Sequence, residues 1–169
     1  VIWATDDVAP VAEDVSTRAL GIGAELEAAG ATVSYTARPD FDVVVAHENY
    51  QTLLNSAMTS GMGPEEVARM QHRADSLDNN DRSHEALITR AAVLSHRDWI
   101  RANGRREKLR AAWDEFFEEW DIVVCPQMAT TAFVHDHQPF GQRTVTVDQA
   151  QRPYFEQLFW AGLAVNAYL

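Results

Sequence analysis

Residues 109–126 read LRAAWDEFFEEWDIVVCP. Leu109, Trp113, Phe116, Phe117 and Trp120 recur at helical spacing, and this predicts a helix over 97–120 with its aromatic face on the core. Asn103-Gly104 is the one place where that helix could kink. Directly after Asp121 the run IVVC is rich in β-branched residues and closes on Pro126, as a strand ends where the next residue has no amide to donate. A helix feeding straight into an apolar strand predicts an α/β fold.

Working outward, VIWAT at 1–5 reads as a buried strand. Val11, Val15, Ile22, Leu26 and Ala29 follow at helical spacing, with Pro10 near the start and Gly30 at the stop. ATVSYTA at 31–37 then reads as a second strand, so residues 1–40 form an expected βαβ unit with a parallel, right-handed crossover. Residues 41–120 read as a helical section. One helix carries Val44, Val45, Tyr50, Leu53, Leu54, Ala57 and Met58 and stops at the turn of residues 61–64, where Pro64 suits the first position of the next helix. DNNDRS at 78–83 supplies capping oxygens for a helix from His84. In 121–169 the order is strand, loop (MATTAFVHDHQPFGQ), strand (RTVTVD), a QAQRP turn, and an apolar helix over 154–169. That helix is hydrophobic nearly all round and needs cover on several sides.

The expected class is therefore α/β, part of a mixed and partly parallel sheet flanked by helices, with a long helical middle section. At 169 residues, 46% hydrophobic and 23% charged, the chain has the composition of a globular domain rather than a disordered one. Its formal net charge of -11 argues against nucleic acid, whose binding needs clustered cations to release counterions. Lys108 is the sole lysine beside thirteen arginines, hence the one side-chain amine available for chemistry. The lone Cys125 excludes an internal disulfide and favours a reducing compartment. No apolar run reaches the length of a transmembrane helix, and VIWATDD lacks the parts of an export signal. A cytoplasmic protein without membrane attachment is the expectation. Both ends fall inside apolar elements, so the chain is expected to be an incomplete domain from a longer protein.

The order of elements and several short motifs resemble the C-terminal part of the amidase signature family. The resemblance rests on LEAAGATV closing the first helix, FFEEWD followed by IVVCPQ, then AF, V-x-V-D, and PYFEQLFWAGLAVNAYL. Gln127 departs from the Thr or small residue that many members carry after the proline. The resemblance implies hydrolysis of a carboxamide without a cofactor, by a Ser nucleophile, a bridging Ser held by a cis peptide and a Lys within a Gly/Ser-rich segment. A serine hydroxyl needs an adjacent base, and the oxyanion needs exposed backbone amides. No stretch of this chain matches that segment. Its serines are scattered singly, and Lys108 lies among Arg105, Arg106 and Arg110. No catalytic residue is assigned, and the chain alone is expected to be inactive.

The resemblance also places the loop after the IVVC strand near the substrate cleft, which makes Phe133, His135 and Asn166 the candidate pocket residues. A small amide substrate and the N-terminal part of the same protein are the expected partners, and a homodimer stays open. His135-Asp136-His137 has two imidazoles at alternate positions but no further ligand at a recognised spacing, so no metal is expected. Two other classes stay open: a non-catalytic α/β binding or interaction module, and a thiol enzyme using Cys125, although that thiol lacks a motif-linked His and sits in an apolar run.

Overall fold

The computed structural model describes residues 1–169. In chain order it contains helices α1 (Glu13–Ala28), α2 (Val43–Met58), α3 (Pro64–Asp75), α4 (His84–Ala92) and α5 (His96–Phe116), strands β1 (Thr144–Val147) and β2 (Ala150–Pro153), and helix α6 (Leu158–Ala167). Short 3-10 turns lie at Phe140–Gln142 and Tyr154–Gln157. The chain divides into two compact units, one of residues 1–41 with 111–169, the other of residues 42–110.

The expected parallel sheet is corrected: the sheet present is a two-stranded antiparallel hairpin. Of the anticipated parallel strands there remains a single bridge, Ile2 to Val124, made by Trp3 N donating to Val124 O and Val124 N donating to Val1 O. Ile2 N donates to Ser34 O on the other side. The reason is local competition from polar side chains. Ser34 Oγ accepts from the amides of Thr36 and Ala37, curling 34–37 out of an extended path, and Asp6 Oδ1 accepts from Val8 N just beyond 1–4. The apolar residues of 1–4 are still buried, Ile2 and Ala4 packing with Ala19 against the half-buried Val33 and Val124.

In the first unit, α1 ends on Gly30 in the left-handed region, φ 93°. Gly30 N donates to Glu27 O and Ala31 N to Leu26 O, which satisfies carbonyls the helix leaves open. The start of α1 has no cap from its own Ala12. Asp148, in the tight turn between β1 and β2, accepts from Glu13 N at 3.0 Å instead. This turn was expected at 149–153; the structure puts it at Asp148-Gln149, and residues 150–153 pair as β2. Asp148 has φ 52°, the positive value that two-residue hairpin turns demand.

The aromatic face of α5 behaves as the sequence implies. Trp113 is buried and packs against Phe41, Phe116 and Phe117, the last nearly parallel at 5.6 Å. The helix closes at Phe116, short of the expected Trp120, because Glu118 and Glu119 bond three residues back and tighten the end. It passes through Asn103-Gly104 without a break. The last apolar stretch is likewise split, a 3-10 turn at Tyr154–Gln157 preceding α6.

The second unit is helical. Asp42 Oδ1 accepts from Val44 N and Val45 N to start α2, Pro64 opens α3, and Ser83 Oγ accepts from Ala86 N to start α4. Leu53, Ala86, Thr89, Ala91, Ala102 and Leu109 are buried. Between α2 and α5, buried Asn49 donates to Ala102 O at 3.1 Å and accepts from Arg105 Nε at 2.8 Å. Both ends of that amide are thus satisfied inside the unit.

Candidate functional site

The loop that follows Val124 is shaped by buried contacts before it reaches the surface. Pro126 and Ala129 are buried. Ala129 O accepts from Ala12 N at 2.7 Å, and Ala129 N donates to Gln157 Oε1 at 3.0 Å, so its backbone is held on both sides. Trp160, 1% exposed on α6, donates Nε1 to Ala9 O at 3.1 Å and meets Trp3 edge to face. Gln157 is 2% exposed, and its Nε2 has no hydrogen-bond partner. A cavity of about 10 Å³ lies among Pro10, Ala129, Val145, Val147 and Gln157.

Beyond Ala129 the loop emerges. Phe133 and His135 are both exposed. The Phe133 ring packs edge to face on Tyr154, which also meets Phe140 and Phe155. The His135 ring faces His137 at 6.2 Å. Asp136 Oδ1 accepts from Gln138 N, and Gln138 O accepts from Arg143 Nε at 2.8 Å, which closes the far end of the loop. Asn166 is buried in α6. Phe133 and His135 therefore share one exposed loop, while Asn166 belongs to the helix interior. No three His, Cys, Asp or Glu side chains converge into a metal-binding group.

Lys108 is exposed on α5. All seven serine hydroxyls are engaged locally: Ser16, Ser56, Ser60 and Ser76 donate to carbonyls three residues back, Ser34 and Ser83 accept from nearby amides, and Ser95 bonds Asp98. Burial pushes the partly buried Cys125 thiol above its ordinary value, which lowers the thiolate fraction a nucleophile requires. Burial also acts on His47, whose imidazole is pushed down to about 4, with nearby His84 adding to the effect.

Gln157 is the residue the sequence reading passed over. Its signal was a lone amide in the apolar run YFEQLFWAGLAV, three positions before Trp160 and so on the buried side of the turn. A comparison with curated proteins gave no match. The amidase family, by contrast, matches residues 1–155. Its match takes in the Ile2 to Val124 bridge, the pinned loop and the β1–β2 hairpin, and the chain belongs to the amidase family.

Proposed function

We propose that this chain is the C-terminal part of an amide hydrolase that cleaves the C–N bond of a small carboxamide. Family membership over residues 1–155 carries the reading. The nucleophilic Ser, the bridging Ser and the general-base Lys lie outside residues 1–169 on this reading. The engagement of every serine hydroxyl in a local bond and the exposed position of Lys108 support that placement. Here the chain supplies one wall of the substrate cleft, with Phe133 offering an apolar face and His135 a polar rim, while Asn166 stays within the interior of α6 behind it. The N-terminal part of the same protein covers the rest.

The test compares the longer protein with residues 1–169 alone, following ammonia release from acetamide and benzamide and p-nitroaniline release from p-nitroacetanilide. Turnover by the longer protein and none by residues 1–169 is expected. In the longer protein, Phe133→Ala should raise KM for the aromatic amides by about tenfold, the loss of roughly 1.4 kcal/mol of apolar contact, and leave acetamide nearly unchanged. Turnover by residues 1–169 that Lys108→Ala abolishes would overturn the reading.

A further inference from the structure

We infer that Gln157 is a positioning residue that sets the loop of residues 127–138, and with it the substrate wall formed by Phe133 and His135. The inference rests on the amidase reading and adds a residue to it. Its basis is the unequal use of one buried amide. Gln157 Oε1 takes the Ala129 amide proton at 3.0 Å, while Nε2 on the same group is buried without a hydrogen-bond partner. A buried donor left unsatisfied is a cost, so an apolar side chain of similar length would suit this position better if filling space were its task. What only the glutamine oxygen provides is an acceptor for Ala129. The opposite side of Ala129 is bound to Ala12 N, so the loop leaves a point fixed from two directions, four residues before Phe133 and six before His135.

The same 3-10 turn holds the loop a second time. Its first residue, Tyr154, takes the Phe133 ring edge to face at 6.0 Å, and its last, Gln157, takes Ala129. One short turn therefore clamps the loop at its buried root and at its exposed aromatic. Tyr154 N donates in turn to Arg143 O, and Arg143 Nε holds Gln138 O at the loop's far end. A shift of this turn moves all three attachment points together.

The experiment uses the full-length enzyme with Gln157→Met, which keeps length but has no acceptor, and Gln157→Glu, which restores an acceptor near Arg152. With benzamide, Gln157→Met should raise KM about tenfold with kcat within about twofold, and Gln157→Glu should return KM to within about threefold of the parent. Hydrogen exchange on the unmodified protein is the second arm: the Ala129 amide should be strongly protected. An unchanged KM in a folded Gln157→Met, or equal damage in a folded Gln157→Glu, overturns the assignment. Rapid Ala129 exchange in the unmodified protein overturns it even where the variants do not fold. If the full-length protein hydrolyses none of the amides, the amidase reading fails, while Ala129 protection and its loss in Gln157→Met still decide whether Gln157 holds the loop.

Discussion

Gly23, on the buried side of α1, has no room for a side chain. A Cβ there would meet Ile2 Cγ1 and Tyr35 Oη, each at 2.8 Å. Gly23→Ala is expected to destabilise the chain by about 1–3 kcal/mol, the usual cost of overpacking, read as a lower midpoint in urea unfolding. Gly30→Ala acts differently, since open space surrounds the position and only the left-handed backbone resists a side chain. His47 supplies the pH dependence. Its folded value of about 4 lies below the ordinary 6.5, so between those limits the unfolded chain binds the additional proton. Stability from this group is complete above pH 6.5 and is lost as pH falls toward 4, by on the order of 3 kcal/mol at the acid limit. Urea unfolding at pH 7 and pH 4.5 measures it, and His47→Gln should reduce the difference, the remainder coming from His84, which burial also pushes down.

At the level of elements, helices whose ends carry their own chemistry were legible in the sequence. Pro64 and the Asp and Ser oxygens of 78–83 mark helix starts, and the structure starts α3 and α4 there; Asp42, which was not singled out from the sequence, caps α2. Asp42→Ala removes the acceptor for two amides and should cost about 1 kcal/mol, measured by thermal unfolding. The parallel strands were misread because β-branched content does not by itself make a ladder. Residues 1–4 keep the buried apolar positions expected of a strand, whereas Ile122 is exposed and residues 123–125 are half-buried; the two segments share one bridge, a ladder that Ser34 and Asp6 help to cut short. The turn expected at 149–153 begins one residue late and runs over β2 because Asp148-Gln149 lacks the glycine that normally marks such a turn. The loop carrying Phe133 and His135 was visible as a loop, but its anchor was not. A lone Gln in an apolar run signals an unusual burial without naming the distant amide it serves.

For the whole molecule, the formal charge of -11 and isoelectric point near 4.8 place the solubility minimum in the acidic range where His47 also begins to take up its proton. Aggregation on acidification should therefore set in near pH 4.8, detectable by light scattering, and should shift little in His47→Gln because net charge governs it. No helix is long and apolar enough to cross a membrane.

The start of α1 takes its cap from Asp148, 135 residues further along, and Val1 N donates to Ile122 O across 121 residues. On the ribosome this makes the first segments of the chain wait. Val1 to Trp3 emerges well before its partner Val124, and α1 stays without its distant cap until the hairpin clears the exit tunnel. Ribosome-stalled chains ending near residue 110 should therefore be cut readily within residues 1–30 by a dilute protease, and chains extended until the hairpin has fully emerged should resist. Residues 1–30 thus depend for their folding on residues made well over a hundred positions later, and chaperones have that interval in which to bind them.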